Sequence, residues 1–351
     1  MNQFTWSASE DTPVKLSFFK QIFTALAQGC EALLRNETDI IARVRQLNAE
    51  VAIVHVADMC WMGIAEHLGI KHRVWMNTAF LVSPFAWYSG TPNPPSYVDS
   101  GISSDFDHKL FRHRTKNAIM ASVMNVVFYW VLMRPCQAVH LHYYPKSRNL
   151  IQVLKDSRFF YVNSYIAVDA PRPLTPKITM VGGLTMVKAG NLTKEWLDII
   201  DISGEHGVVV FAFGTVANTT YMPEALKVRN VLHYMKFLDA FKRLPQRVIW
   251  RLEGEFKPAE NVPNIVVKKW IPQKTLLAHP KIKVFISHGG YNSFTEATHA
   301  GVPIIAVPLF GDQYRNAKRV TSLGIGLSID HKSASAEEIF AAIDYVVNSR
   351  K

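Results

Sequence analysis

The residues best equipped to do chemistry stand in one ordered run. Trp270-Ile271-Pro272-Gln273 comes first, Ser287-His288-Gly289-Gly290-Tyr291-Asn292-Ser293 follows with Glu296 just beyond, and Asp312-Gln313 closes the series. Gly289 and Gly290 form a turn with no side chain to obstruct a close-lying ligand. Asn292 and Ser293 then open a helix whose N–H groups and dipole favour a phosphate, so a pyrophosphate fits there. Glu296 lies four residues after Asn292 and shares its helical face. A carboxylate beside a phosphate is tolerable when it accepts hydrogen bonds from hydroxyls, and a ribose diol supplies them. Trp270 offers a flat ring on which a base can stack. Asp312 and Gln313 bring acceptors and donors suited to a sugar. Singly, each residue has an ordinary explanation: core aromatic, structural histidine, turn glycines, helix-surface carboxylates. Those explanations do not account for the whole set in this order and spacing.

The elements that must position these residues are legible around them. Apolar runs over 208–213, 248–252, 265–268, 284–287 and 304–307 read as buried strands. Helical spacing over 224–243, a helix from Gln313 to near Gly324, and the capping-box pair Ser335 and Glu338 alternate with them. Such alternation means a parallel sheet covered on both faces, a Rossmann-like domain. Ligands of such sheets gather outside the carboxyl ends of the strands, where Ser287 and His288 fall. The first half is less regular. Helix is expected over 14–34 and 64–68, strand over 51–56 and 74–77, and a loop over 92–95. Three prolines in Asp169-Ala170-Pro171-Arg172-Pro173-Leu174-Thr175-Pro176 mark the seam. The boundary is placed after it, giving domains 1–183 and 184–351.

Composition bounds the rest. The 351 residues suffice for two ordinary domains, and 48% hydrophobic with 19% charged residues marks a globular chain. The net charge of +11 suits an anionic ligand or surface. Lys and Arg are scattered, and no nucleic-acid recognition module is visible, so nucleic acid is not expected as a partner. Cys30, Cys60 and Cys136 form no C-x-x-C pair, and neither a zinc knuckle nor a disulfide framework is expected. Glycosylation sequons begin at Asn36, Asn191 and Asn218. The N-terminus lacks the pattern of a signal peptide. The apolar stretch 118–133 falls short of the ~20 residues of a spanning helix and reads as a buried or membrane-surface helix. Its basic lead-in, Lys109-Leu110-Phe111-Arg112-His113-Arg114-Thr115-Lys116, could meet anionic headgroups or form a solvated charged face.

The order W-x-x-Q, H-G-G-x-N-S-x-x-E, D-Q resembles the signature of family 1 UDP-glycosyltransferases of the animal glucuronosyl/glucosyltransferase type. The match is dense over 204–324 and weaker at Val181-Gly182-Gly183-Leu184 and Pro95-Ser96-Tyr97-Val98, and the upstream half is most similar to nematode or other invertebrate members. The resemblance implies a GT-B fold: an incomplete Rossmann-like acceptor-side domain at 1–183 and a UDP-sugar domain at 184–351. By the same implication, Trp270 stacks on uracil and the Ile271 backbone reads its edge. Gln273 and Glu296 hold the ribose. His288, Asn292 and Ser293 bind the diphosphate with Gly289, Gly290, Gly214 and Thr215, and Asp312 and Gln313 hold the sugar. The implied reaction is an inverting, metal-independent transfer from UDP-glucuronic acid or UDP-glucose to a hydroxyl of a small lipophilic acceptor, with no cofactor. The implied address is the endoplasmic reticulum membrane or lumen, and homo- or hetero-oligomers with relatives are implied partners.

The chain departs from the family pattern in places. Tyr291 stands where other members have Trp or Ala, and is given no role. No histidine occurs in residues 1–54, where the family's general base is expected. Asp58 is a candidate for the acid that orients that base, although His55 could occupy the same position. The resemblance therefore implies a chain truncated at both ends, and leaves a second reading open: a catalytically impaired UDP-sugar binder that regulates full-length relatives. A nicotinamide-dependent dehydrogenase is disfavoured, because Phe213-Gly214-Thr215 stands where a G-x-G-x-x-G turn is needed.

Overall fold

The computed structural model describes residues 16–35, 39–101, 106–184, 186, 190–214, 234–253, 256–309 and 311–348. These residues form two compact units, one within 14–184 and one within 185–351. Each is a Rossmann-like α/β unit around its own parallel sheet, in agreement with the GT-B class expected from the sequence.

The first unit runs α1 (Leu16–Arg35), α2 (Asp39–Gln46), β1 (Val51–His55), α3 (Met59–His67), β2 (His72–Asn77) and α4 (Ser83–Ser89). It continues through α5 (Phe111–Phe128), α6 (Arg134–Tyr143), α7 (Leu150–Lys155), β3 (Phe159–Val162) and β4 (Ile178–Met180). Its four strands pair in chain order, all parallel, and Trp75 of β2 stacks on Phe160 of β3 at 4.7 Å. Strands β3 and β4 escaped the sequence reading. One is four residues long and the other follows directly on the proline seam, too short for either to show a period.

Two expectations are corrected here. Cys30 of α1 and Cys60 of α3 form a disulfide, with Cα atoms 5.5 Å apart. Thirty residues separate them in sequence, so only the packing of α1 against α3 brings them together. Second, the apolar helix does not stop at Met133. A π-helical turn at Tyr129–Met133 joins α5 to α6, and the joined helix Phe111–Tyr143 spans 33 residues. Pro135 lacks an N–H to donate to the preceding turn, and the wider turn absorbs that break. By length and mean hydropathy this helix is apolar enough to cross a membrane, with 28% of its most apolar stretch buried.

The second unit runs α8 (Lys194–Asp201), β5 (Val208–Ala212), a helix over 234–241 (α9), β6 (Arg247–Arg251), α10 (Lys257–Glu260), β7 (Ile265–Lys268) and α11 (Gln273–Leu277). Then come β8 (Ile282–Ser287), α12 (Tyr291–Ala300), β9 (Ile304–Ala306), α13 (Gln313–Ser322), β10 (Gly326–Ser328) and α14 (Ala336–Asn348). All six strands are parallel, in the order β10-β9-β8-β5-β6-β7. Every residue of β5 is buried, as a central strand covered on both faces must be. Phe211, Phe241 and Trp250 interlock above it. The capping box forms as read: Ser335 N–H donates to Glu338 Oε2 at 2.8 Å, and Glu338 N–H to Ser335 Oγ at 3.2 Å. From β5 the chain winds outward to β6 and β7, then returns to the other side of β5 as β8. The winding reverses there, and in such sheets the crevice at the reversal takes the ligand.

Candidate functional site

That reversal sets Ala212 opposite Ser287 in register, so the turns after β5 and β8 emerge side by side. They meet at His288. A Cβ on Gly214 would lie 2.6 Å from the His288 ring, and one on Gly290 would lie 2.4 Å from its Nε2. The imidazole occupies a slot that only two glycines leave open. Burial, reinforced by the positive charge of Arg251, holds its pKa down to about 4 against the pull of the Ala212 backbone carbonyl. His288 is therefore a neutral imidazole at physiological pH, able to donate a hydrogen bond without titrating.

Gly290 is the extended N-cap of α12, with φ −60° and ψ 145°, and no side chain caps the helix. A cleft of about 670 Å³ opens in front of it. Its walls include Gly214, Trp270, Ile271, Gln273, His288, Gly290, Asn292, Ser293, Glu296, Asp312 and Gln313. Gly289 lies just behind the wall with φ +79°, its N–H donating to Ser287 Oγ at 3.3 Å. Thr215 and the sequons at Asn36 and Asn218 fall outside the described residues. Residues read from four separate stretches of sequence thus line one cavity, of a size that suits a nucleotide-scale ligand.

Trp270 is 67% exposed at the cleft, which removes its reading as a core aromatic. At the same end, Gln273 Nε2 donates to Glu296 Oε2 at 2.6 Å and approaches Ser293 Oγ at 3.4 Å. Burial raises the Glu296 pKa, and the Gln273 bond opposes the rise. Burial likewise raises that of Asp312, opposed by Asn316. Gln313 is buried and accepts from Leu309 N–H at 2.8 Å through Oε1.

Arg251 and Tyr291 on the wall of the cleft, and Asn316 behind it, were missed in the sequence. Arg251, at the carboxyl end of β6, holds its guanidinium 4.8 Å from the Trp270 ring centroid and pairs with Glu253 at 2.6 Å. The strand-end rule that found His288 could have found Arg251 too. Asn316 is 1% exposed, and its Nδ2 donates both to Gly289 O at 2.9 Å and to Asp312 Oδ2 at 3.0 Å. It ties the glycine turn to the last pair of the series, and its spacing of four from Asp312 was the available signal. Tyr291, given no role, also lines the cleft and is itself buried.

His55 and Asp58 stand in the other unit, His55 as the last residue of β1 and Asp58 in the turn that follows it. His55 Nε2 is 3.1 Å from Thr78 Oγ1, and burial raises the Asp58 pKa while lowering that of His55. Among the described residues no group of three or more His, Cys, Asp or Glu could hold a metal ion. The sequence does carry one Asp-x-Asp, Asp105-Phe106-Asp107. Asp105 is outside the described residues, and Asp107 Oδ1 accepts from Lys109 N–H at 2.9 Å.

Comparison with known proteins bears on the same geometry. The family model described as UDP-glucoronosyl and UDP-glucosyl transferase matches residues 1–351. Rat UDP-glucuronosyltransferase 1-2 is 28% identical over 337 residues, 95% of this chain and 60% of its own length. The putative UDP-glucuronosyltransferase ugt-60 of Caenorhabditis elegans is 31% identical over 356 residues, 92% of this chain and 65% of its own. The chain thus spans about three fifths of the length of the curated relatives it matches. Among solved structures, a UDP-glucosyltransferase from Polygonum tinctorium superposes with a TM-score of 0.62 at 18% identity, over 98% of this chain and 75% of that one. Os79 from O. sativa in complex with UDP gives 0.57 at 18%, over 96% and 76%. At these identities the likeness establishes the fold.

Proposed function

We propose, from the premise that this chain belongs to the UDP-glucuronosyl and UDP-glucosyl transferase family, that residues 184–351 bind a UDP-sugar whose glucuronic acid or glucose passes to a hydroxyl of a small lipophilic acceptor. Residues 1–183 form the acceptor side in this reading, and the endoplasmic reticulum membrane or lumen is its place of work. The observation that carries it is the convergence of Trp270, the His288–Ser293 turn, Gln273–Glu296 and Asp312–Gln313 on one cleft. The 31% identical nematode relative supports the narrower assignment to the family 1, nematode-like branch.

The roles follow from the chemistry at each wall. Uracil stacks on Trp270, and Arg251 on the same ring adds a cation near the nucleotide. Glu296, held by Gln273, accepts from the ribose hydroxyls. The diphosphate lies at the uncapped start of α12 beside Gly214. As the acceptor oxygen attacks the anomeric carbon from the face opposite UDP, the bond to the diphosphate breaks and negative charge grows on the leaving oxygen. The helix dipole and the neutral His288, acting as a fixed donor, stabilise that charge in place. Asp312 and Gln313 orient the sugar. The acceptor proton needs a base; Asp58 is the candidate for the acid that orients that base, with His55 as the alternative at that position.

The test is transfer from radiolabelled UDP-glucuronic acid and UDP-glucose to a panel of phenols, alongside calorimetric titration with UDP. Product with either donor supports the enzyme. Tight UDP binding with no product supports the regulatory binder instead, and failure to bind UDP sinks both.

A membrane-surface contact belongs to the same reading. Ile119, Val123, Val126 and Trp130 repeat at helical spacing on the joined α5–α6 helix, all exposed, with Trp87 of α4 exposed as well. Arg112 and Lys116 precede this stripe, and Arg134 closes it with its guanidinium 4.7 Å over the Trp130 ring. Cations at both ends of an apolar stripe match an anionic lipid surface. Cosedimentation with vesicles containing phosphatidylserine should exceed that with phosphatidylcholine alone, and Val126→Glu with Trp130→Glu should abolish it. Equal recovery of wild type and variant would refute the contact.

A further inference from the structure

Two features lie outside the donor cleft, a disulfide and an exposed sequon, and both point to one kind of compartment. The first is the Cys30–Cys60 bridge, buried at 3% and 6% exposure among Leu34, Ile41 and Ile64. Reducing compartments keep such pairs as thiols. The remaining cysteine, Cys136, is buried, and burial pushes its thiol up to about 12, so it does not compete for exchange.

The second feature is in the other unit. Asn191-Leu192-Thr193 belongs to neither helix nor strand, and both Asn191 and Thr193 are exposed. Thr193 is the N-cap of α8, in extended conformation with φ −69° and ψ 161°, yet its side chain makes no capping bond. A Thr at an N-cap ordinarily spends its hydroxyl on the helix. Here the hydroxyl is left for recognition by another molecule, two residues from the exposed Asn191. Those are the requirements of an N-glycosylation acceptor. The α8 helix behind it is anchored by Lys268–Glu195 and Lys281–Asp201 ion pairs. A bulky group on its leading end would therefore project from a fixed support.

We propose that Asn191 carries an N-linked glycan, attached in the same oxidising lumen that closes the Cys30–Cys60 bridge. The amide nitrogen of Asn191 attacks the anomeric carbon of a polyprenyl-diphosphate-linked oligosaccharide. An N–C bond forms, the C–O bond to the diphosphate breaks, and the amide proton passes to a base of the transferring enzyme. Bridge closure removes two electrons and two protons from the thiols, delivered to a disulfide-bearing oxidant of that compartment.

The test directs the full chain into the secretory lumen of a eukaryotic cell behind a cleavable signal sequence. Glycosidase release in ¹⁸O water should leave labelled aspartate at position 191. Asn191→Gln and Thr193→Ala should each remove one glycan's worth of gel mobility, while Thr193→Ser retains it. Because both Thr193 variants change the same side chain, a loss shared by Ala and Ser would indicate misfolding and overturn the assignment. Unlabelled Asn191 in wild-type chain overturns it as well. Alkylation of denatured, unreduced protein should mark Cys136 alone, and labelling of all three cysteines would remove the compartment argument.

Discussion

At the scale of single residues, the site depends on a flat ring and a neutral imidazole. Trp270 sits exposed at the cleft, so its replacement should cost ligand stacking and leave the fold intact. Trp270→Ala should weaken UDP binding by roughly 5- to 150-fold, given about 1–3 kcal/mol per stacked base. Titration calorimetry reads this directly, with an unchanged melting temperature as the control. His288 makes a different prediction. Its folded pKa of about 4 lies below that of an unfolded histidine, so below pH ~6.5 the unfolded chain binds more protons. The stability it contributes is whole above that pH, falls as pH drops towards 4, and levels off below. Glu296 and Asp312, raised by burial above the ordinary 4.5 and 3.8, act with the opposite sign at pH values above those, inside the same window. The comparison that isolates His288 is thus wild type against His288→Gln. Urea unfolding at pH 7 and pH 4.5 should show a loss larger in wild type by on the order of 2 kcal/mol, and parallel losses would contradict the assignment.

At the scale of elements, two strand-to-helix turns meet and glycine decides whether they can. Gly290→Ala puts a Cβ 2.4 Å from His288 Nε2, and the ring must move. The backbone at Gly290 lies in the extended region, so the substitution strains packing rather than φ. Gly290→Ala should therefore lower UDP affinity at least ~10-fold, about 1.4 kcal/mol, while far-ultraviolet circular dichroism stays unchanged. An affinity within twofold of wild type would show that His288 does not need its slot. Gly214 combines the same clash with φ +70°, so alanine there should disturb the backbone as well. The apolar strands and the Ser335–Glu338 cap were legible because length and local chemistry reveal them. Short strands were legible only where the run was continuously apolar, as in β9; β4 and β10 carry Thr179, and Gly326 and Ser328, within three residues and show neither an apolar run nor an alternation.

At the scale of the molecule, each unit has its own core, one around Trp75 and Phe160 and one around Phe211 and Trp250. The Cys30–Cys60 bridge lies wholly within the first unit. Closing a 30-residue loop constrains the unfolded chain by about 3–4 kcal/mol in the entropy model. Dithiothreitol should accordingly lower the denaturation midpoint of residues 14–184 and leave that of 185–351 in place. Hydrogen exchange resolved by peptide distinguishes the two, and equal deprotection of both units would mean the bridge does not act locally. The charge of +11 is a molecular property too, and it accords with the anionic co-substrate proposed for the cleft that holds Arg251.

The amino-acid sequence by itself determined the apolar strands of the second sheet, the glycine-opened helix start and the ordered run from Trp270 to Gln313. These depend on chemistry local in the chain: strand burial, helix caps and the conformational freedom of glycine. Tertiary structure alone decided that Arg251 lies over Trp270, that Asn316 ties Gly289 to Asp312, that two glycines clasp His288 and that Cys30 meets Cys60. Each of those contacts joins separate elements, and their distances follow from strand order and helix packing, which no local pattern of residues encodes.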